Sequence, residues 1–495
     1  MKPDLRLRPF ASLLGGALTA LAITTAGAVA QGPDSASLAR AIAAVIDTGA
    51  LGRASWGIEV RDVASGAVLY ARNADRLFVP ASNLKLVVAA AATHHLGPEF
   101  RYTTSFLAGG GVGDSALSGA LVVRGTGDPT ISGRNQPDRL TLFTAFADSL
   151  RAHGVRRVGG GVLADVSWWP DEAVHGDWQK YDLNWWYAAP TGPLGFNDNS
   201  IDFRVMPGAQ AGEPASITAQ PASRSFTFAN RTRTVAAGRP HTLDFDRVPG
   251  TDSIFAYGEI PLGTAPRTES FAVRDPAFYF ATVLAETLAR AGIQVDPGQV
   301  RVTREPPPGA TLLFEHRSPP LAQLVGPVLQ SSQNWYAEQL LKTMGREVGG
   351  EGSWRTGLEV EMAFLHDVVG IDTAAFRLRD ASGLSTGNLI SPAALTQLLR
   401  YLATSPRQRV AVDALPVSAG QTGSLRNRFT DLPGRVRAKT GSVRNVASLS
   451  GLVRTDGGGE LAFAIMANGT GLPAGRVTTA IDQVVRLLAR TRSGS

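Results

Sequence analysis

The sequence contains no cysteine, which excludes disulfide bonds, thiol catalysis and zinc sites built on thiolates. Its seven histidines include no H-E-x-x-H pattern, so we expect neither a metal nor any other cofactor. Dense basic runs with interleaved aromatic residues are also missing, and a formal net charge of +6 therefore does not predict nucleic-acid binding. Beyond residue 30 no stretch approaches 18 uninterrupted apolar residues. The part of the chain after residue 30 is thus expected to have no stable membrane span.

Residues 1–30 have the pattern of a secretory signal peptide. Lys2, Arg6 and Arg8 precede a mainly small and apolar run, and Ala28-Val29-Ala30 matches a cleavage site. We expect the mature chain to start at Gln31 and to reside in the periplasm. A retained membrane anchor is the alternative, which the cleavage site disfavours.

The patterning along the 495 residues predicts a mixed α/β (α+β) fold with more than one domain. Alternating residues in 56–62 and 67–73 predict a hairpin, and an apolar helix follows at about 84–96. Short strands, glycines and prolines dominate the middle of the chain, and helical patterns return after 321. Two apolar runs, 446–455 and 461–469, predict a second hairpin, followed by an amphipathic helix in 474–490.

Strands at both ends with helices between them predict one domain that is closed by its N- and C-terminal segments. The large middle region would then be a mostly β insertion. The predicted divisions are a signal peptide (1–30), the first part of a catalytic domain (31–98), the inserted β-rich region (99–311) and the second part of the catalytic domain (312–495).

Lysine is rare, with only five among the 48 basic residues. One of them, Lys85, follows Ser82 by three positions, and residues i and i+3 of a helix share a face. Arginine does not lose its proton at useful pH, whereas a buried lysine beside another cation can become a neutral base. The pair therefore predicts a serine nucleophile activated by lysine, although S-x-x-K alone is a common surface pair.

Two further short motifs follow in the chain. Ser332-Gln333-Asn334 has the form S-x-N at the junction of two helical runs, and Lys439-Thr440-Gly441 has the form K-T-G before a strand. An N-cap serine and an ordinary turn are the structural alternatives. In the order S-x-x-K, S-x-N, K-T-G the three motifs match those of serine acyl-transferring enzymes. Lys439 would supply the cation that lowers the pKa of Lys85.

A competing serine lies in Gly383-Leu384-Ser385-Thr386-Gly387, which matches the G-x-S-x-G nucleophile elbow. An elbow requires a helix that begins at the serine, but the next helix is predicted near Pro392. His366 is the last histidine, so none follows Ser385 to complete a Ser–Asp–His order. We therefore favour Ser82.

The chain resembles the low-molecular-mass class C penicillin-binding proteins, the peptidase S13 family of D-Ala-D-Ala carboxypeptidases and endopeptidases. The resemblance covers nearly the whole mature chain, and the 250 residues between Ser82 and Ser332 match the long spacer of that family. Its segments here are LGPEFRYTTSF (96–106), GTGDPT (125–130), DASGLSTGNLISP (380–392), LPVSAGQTGSLRNRF (415–429) and VRAKTGSV (436–443).

The resemblance implies a β-lactamase-like transpeptidase domain that cleaves D-alanyl bonds of peptidoglycan stem peptides and cross-links and is trapped by penicillin. It implies no partner beyond peptidoglycan and β-lactams and leaves the oligomeric state open. By motif, the resemblance implies that Ser82 is the nucleophile, Lys85 its base and Ser332 a proton relay. Asn334 would bind the acyl-side amide, and Lys439 and Thr440 would bind the terminal carboxylate. The substrate would lie along Gly441 and Ser442, and the N–H groups of Ser82 and Ser442 would form the oxyanion hole.

Side-chain recognition is the second implication. Asp182 aligns with an acidic position that meets the amino group of a diaminopimelate side chain, and Tyr187 lies at a nearby aromatic position. A turn aspartate and a packing tyrosine are the alternatives. The family's SGLSR reads SGLST here, so an arginine is missing at Thr386. Arg444 could replace the lost cation.

Two other functions remain as alternatives. A β-lactamase would need a carboxylate base for fast deacylation, and no E-x-x-x-N element lies between the first two motifs. A non-catalytic peptidoglycan-binding protein would be expected to have lost Ser82 or Lys85. Both residues are present.

Overall fold

The computed structural model describes residues 33–133, 136, 138–169 and 173–492. The predicted signal peptide at 1–30 lies outside these residues. Within the described part of the chain, no helix has both the length and the apolar character needed to cross a membrane.

The mixed α+β class predicted from the sequence is confirmed. The helices of the described residues are α1 (Pro33–Ile46), α2 (Lys85–His95), α3 (Thr141–Ala152), α4 (Pro276–Arg290), α5 (Leu321–Leu329), α6 (Asn334–Glu347), α7 (Trp354–Ala363), α8 (Pro392–Thr404), α9 (Arg409–Asp413) and α10 (Ala474–Ala489). The strands are β1 (Ser55–Asp62), β2 (Val68–Arg72), β3 (Thr103–Ala108), β4 (Val112–Gly113), β5 (Ala116–Leu117), β6 (Leu121–Gly125), β7 (Arg157–Val158), β8 (Val162–Asp165), β9 (Ser200–Met206), β10 (Ser216–Gln220), β11 (Thr227–Val235), β12 (Asp244–Arg247), β13 (Ser253–Pro261), β14 (Arg267–Ala272), β15 (Val300–Thr303), β16 (Thr311–Arg317), β17 (Phe376–Arg377), β18 (Leu389–Ile390), β19 (Val436–Val443), β20 (Val446–Arg454) and β21 (Glu460–Asn468).

An antiparallel sheet joins the two ends of the chain. Its strand order is β19-β20-β21-β1-β2, and β1 pairs with β21 from Ser55↔Asn468 to Asp62↔Leu461. The two hairpins predicted from alternating residues, β1–β2 and β20–β21, are confirmed. Because β19 is at the edge of the sheet, one side of its backbone is left for other contacts.

Helices cover both faces of this sheet, which explains why its strands are apolar on both sides. Along β21 one set of alternate residues joins the core with α1 and α10, and the other set joins the core with α2 and α8. The first set is Leu461, Phe463, Ile465 and Ala467, and the second is Ala462, Ala464 and Met466. The amphipathic helix predicted in 474–490 is confirmed as α10, packed on the sheet.

The middle of the chain has a separate hydrophobic core and three larger sheets. Their orders are β15-β8-β6-β3-β16, β10-β9-β14 and β11-β13-β12. The expectation of a mostly β region missed two helices, α3 and α4. The start of α4 carries a sequence signal, because Asp275 caps it through the Phe278 N–H and Pro276 occupies its first turn. The domain bounds stated from the sequence stay a prediction.

Candidate active site

Ser82 lies in a short 3₁₀ turn, 81–84, which leads directly into α2 at Lys85. The turn brings the Lys85 Nζ to 2.9 Å from the Ser82 Oγ, as the S-x-x-K spacing predicts. Ala81, just before the serine, is fully buried and has a left-handed φ of 48°. Such a conformation is costly for a residue with a Cβ and is found preferentially at functional sites.

Lys85 is completely buried and its amine has three hydrogen-bond acceptors. Besides the Ser82 Oγ, the Nζ donates to the Asn334 Oδ1 at 2.6 Å and to the Ser382 carbonyl at 2.7 Å. Burial lowers the pKa of Lys85 to about 7, while the charges of Asp380 and Glu338 oppose that shift. The Lys439 cation expected from the sequence is not among the causes of this shift, because desolvation disfavours the ammonium by itself.

The second motif is a strained turn at the start of α6. Ser332 has a φ of 57°, and its Oγ accepts a hydrogen bond from the Lys439 Nζ at 2.8 Å. Two residues later the Asn334 amide donates from its Nδ2 to the Tyr187 carbonyl at 2.7 Å. That bond directs the Oδ1 of the same amide toward Lys85. Asn334 thus connects the lysine to the middle region of the chain.

The third motif lies on the edge strand β19. Lys439 is fully buried, and burial together with the positive charge of Lys85 holds its pKa well below the ordinary value. Gly441 has no room for a side chain. A Cβ there would lie 2.7 Å from the Pro80 carbonyl oxygen and 2.3 Å from the Ser448 Oγ. The glycine therefore lets β19 run directly against the segment that carries Ser82.

Beyond the lysine, β19 turns polar side chains toward solvent. The Thr440 Oγ1 donates to the Ser424 Oγ at 3.0 Å, and Ser442 is exposed. Arg444 is exposed after the end of β19, and Thr386 is exposed in another loop.

Asp182 and Tyr187 lie together beside the second motif. The Tyr187 hydroxyl donates to the Asp182 Oδ1 at 3.0 Å, and the Tyr187 carbonyl is the one that holds Asn334. Burial and the neighbouring Asp182 raise the pKa of Tyr187. Both side chains are half-buried, so solvent reaches each of them in part.

The G-x-S-x-G segment is not a nucleophile elbow. Ser385 is buried, its Oγ donates to Asp177 at 3.0 Å, and the next helix begins only at Pro392. Gly383, with a φ of 80°, instead lies against the Ser82 turn, where an added Cβ would be 2.0 Å from the Ala81 carbonyl oxygen. The segment therefore packs against the turn that carries Ser82.

The sequence analysis did not identify three groups that lie behind Lys85, namely Ser382, Asp380 and Glu338. The missed signal is the position of Glu338, four residues after Asn334 on the same face of α6. It is a fully buried carboxylate on a helix whose neighbouring buried positions are mainly apolar. Charged residues are rarely buried in this way without a partner.

Comparison with known proteins shows the family of the chain. Residues 38–491 match the D-Ala-D-Ala carboxypeptidase 3 (S13) family. The chain belongs to the S13 family. Membership identifies it as a serine-type D-Ala-D-Ala carboxypeptidase, and the family resemblance stated from the motifs is confirmed.

Relatives of this S13 enzyme cover most of its length. It is 35% identical over 473 residues to a D-alanyl-D-alanine carboxypeptidase of Actinomadura sp. strain R39, covering 92% of this chain and 86% of the relative. It is 25% identical to the D-alanyl-D-alanine carboxypeptidase DacB of Haemophilus influenzae, covering 83% and 85%.

The fold of the S13 enzyme is that of a solved structure, penicillin binding protein 4 from Haemophilus influenzae. The TM-score is 0.79 at 22% identity, with 92% of this chain and 99% of the other covered. A second structure of that protein, in complex with a β-lactam, gives a TM-score of 0.73 at 21% identity and covers 92% and 100%.

Proposed function

We propose that this S13 enzyme cleaves the D-Ala-D-Ala bond of peptidoglycan stem peptides, and D-alanyl cross-links, through an acyl-enzyme on Ser82. One observation carries the proposal. The buried Lys85 Nζ lies 2.9 Å from the Ser82 Oγ, and it has a pKa near 7. A base of that pKa is neutral often enough at neutral pH to take the serine proton.

In the acylation step, the Ser82 Oγ attacks the carbonyl carbon of the penultimate D-alanine while Lys85 takes the hydroxyl proton. The developing oxyanion is held by the backbone N–H groups of Ser82 and Ser442. The edge position of β19 supports this role for Ser442, since edge strands present N–H groups to an incoming peptide.

Release of the terminal D-alanine requires a proton on its nitrogen. Ser332 supplies this proton, and the short Lys439–Ser332 hydrogen bond supports such a relay. The C–N bond breaks, and in total one proton moves from Ser82 to the leaving amine. Water then attacks the acyl ester with Lys85 as the base, and Lys85 returns a proton to the Ser82 Oγ.

Substrate binding uses the K-T-G strand and the amide of Asn334. Lys439 and Thr440 bind the terminal carboxylate, whose negative charge would raise the pKa of the buried lysine and favour its ammonium form. Asp182 and Tyr187 meet the amino group of a diaminopimelate side chain. The stem peptides lie outside the cytoplasmic membrane, so the proposal includes export of the protein to the periplasm.

Labelled penicillin tests the nucleophile. We expect covalent label on the wild-type protein, located on the Ser82 peptide by mass spectrometry, and none on Ser82→Ala; Ser331→Ala, an exposed neighbour of the second motif, should label normally. The acylation rate should rise with pH through about 7, because only the neutral amine of Lys85 is a base. Failure of the wild-type protein to label would overturn the proposal.

Muropeptide digestion tests the reaction. Purified uncross-linked pentapeptides should lose one D-alanine, and cross-linked dimers should give monomers, both read by mass. Rapid nitrocefin turnover with a short-lived acyl-enzyme would instead indicate a β-lactamase. Binding of peptidoglycan without any product would indicate a non-catalytic protein.

A further inference from the structure

Three fully buried carboxyl groups, those of Glu338, Asp380 and Glu361, lie behind Lys85. The charges of Glu338 and Asp380 act on the Lys85 amine, and both also act on Glu361. The reaction steps above use none of them. Burying three acids together is unfavourable unless each is hydrogen-bonded or paired with an opposite charge. The contacts of each acid therefore need a structural explanation.

Asp380 organises its own loop. Its two oxygens accept hydrogen bonds from the Gly383 N–H at 2.8 Å, the Ser385 N–H at 2.7 Å and the Asn388 Nδ2 at 2.8 Å. The Trp178 Nε1 donates to it as well, at 3.0 Å. These hydrogen bonds explain the burial of Asp380, because its carboxylate holds the 380–388 turn together.

Glu338 makes a different set of contacts, and they lead to the base. Its Oε1 accepts from the Ser382 N–H at 2.8 Å, and its Oε2 accepts from the Ala381 N–H at 3.3 Å and the Trp354 Nε1 at 2.8 Å. The carbonyl of the same Ser382 accepts from the Lys85 Nζ at 2.7 Å. Ser382 is thus held by Glu338 on its N–H side and holds Lys85 on its carbonyl side.

We propose that Glu338 is a positioning residue for the acylation reaction, which fixes the Ser382 carbonyl against Lys85 and whose negative charge sets the pH range in which Lys85 is a base. This inference rests on the proposed function of Lys85. Its two parts, position and charge, can be separated by different substitutions of the same residue.

Several other titratable groups lie around Lys85 and Glu338. Lys85 has Lys439 on the side of β19; Glu338 has Asp380 in the loop, Glu361 on α7 and Lys342 one turn on along α6. Lys342 and His175 both lie against the Trp354 ring, with the Lys342 Nζ 4.2 Å and the His175 ring 5.2 Å from its centroid.

Burial and the charge of Asp380 raise the pKa of Glu338 to about 7, while its hydrogen bonds from Trp354 and Ser382 oppose the shift. At and above this pH Glu338 is increasingly an anion, and its charge raises the pKa of Lys85. Glu361 differs, because burial and the other two acids raise its pKa well above the ordinary value, and neither of its oxygens has a hydrogen-bond partner among the described residues. Its neutral form is therefore favoured.

The experiment measures the second-order rate of acylation by penicillin between pH 5 and 9. Glu338→Gln removes the negative charge that Glu338 gains near pH 7, so the pKa of Lys85 falls and the acidic limb of the profile should move down by less than about one pH unit, because Glu338 is only partly ionised there. The maximal rate should also fall roughly tenfold, because a Gln amide cannot accept from both the Ser382 N–H and the Trp354 Nε1.

Glu338→Asp keeps the charge but shortens the side chain. It should lower the maximal rate and leave the acidic limb in place. This variant also covers the case in which Glu338→Gln does not fold, as thermal unfolding would show. A wild-type maximal rate in Glu338→Asp would overturn the positioning role.

Two matched controls complete the test. Glu361→Gln replaces a neutral acid by a neutral amide in the same buried cluster, and Glu347→Gln changes an exposed residue at the end of α6. Both variants should keep the acidic limb of the pH profile at its wild-type position. If the limb of Glu338→Gln also stays at the wild-type pH, the charge part of the proposal is wrong. A wild-type protein that does not acylate at all would instead reject the proposed function.

Discussion

The floor of the active site, which we define as Lys85, Glu338, Asp380 and Ser382, differs in burial from its rim, residues 181–187. Every floor residue is 0% exposed, whereas the rim residues are half-buried or exposed. Charges on the floor interact with little solvent screening, and burial lowers the pKa of Lys85 to about 7 against the opposing charges of Asp380 and Glu338. If the proposed roles hold, the desolvated groups of the floor carry the acyl chemistry, and the groups of the rim that water still reaches carry recognition.

The two regions are joined by one side chain. Asn334 accepts from Lys85 on the floor and donates to the Tyr187 carbonyl at the rim. We therefore expect substitutions on the floor to reduce all acylation, and substitutions at the rim to change the choice of substrate.

Lys85→Arg should have the largest effect. A guanidinium stays protonated and cannot take the Ser82 proton, so penicillin acylation should fall by at least about a thousandfold. Stopped-flow or gel-based labelling measures the rate, and Lys180→Arg, at an exposed lysine, is the matched control. A rate near that of the wild-type protein would show that the floor does not supply the base.

Ser332→Ala should have the next largest effect on acylation. Removing the hydroxyl between Lys439 and the leaving amine should slow acylation by about a hundredfold. The nucleophile and its base stay in place, so slow labelling of Ser82 should persist. Ser331→Ala controls for changes in the turn, and equal rates for the two variants would remove Ser332 from the relay.

Asp182→Asn tests the rim. For a peptide with a free amino group on its third residue, kcat/KM should fall by about tenfold, since an ion pair at a partly exposed site is lost. The same peptide with that amino group acetylated should react equally with both proteins, and penicillin acylation should be unchanged. An equal loss with both peptides would place Asp182 in a structural role.

Arg444→Ala should have the smallest effect. Arg444 is exposed after β19, so its contribution to binding an anionic side-chain group should be no more than about threefold in KM. Arg53→Ala, an exposed arginine near the start of β1, is the control. A large loss would mean that Arg444 replaces the cation missing at Thr386.

Much of the site could be predicted from three short motifs. Their residue types state the chemistry, and helical spacing was enough to bring Ser82 to Lys85. Spacing could not bring Ser332 to Lys439, because 107 residues separate them and only the packing of α6 beside β19 decides their contact. The family resemblance supplied the expectation that such motifs meet.

The sequence was sufficient to select Ser82 as the candidate nucleophile and to predict the order of the motifs, the two hairpins and the helix that packs on their sheet, because those features depend on residue type and on local periodicity. The tertiary structure decided which buried groups surround the lysine. Desolvation and charge interactions depend on distances through space. Only the folded chain therefore shows that Glu338 and Ser382 lie near Lys85 and that Gly441 packs closely against Pro80.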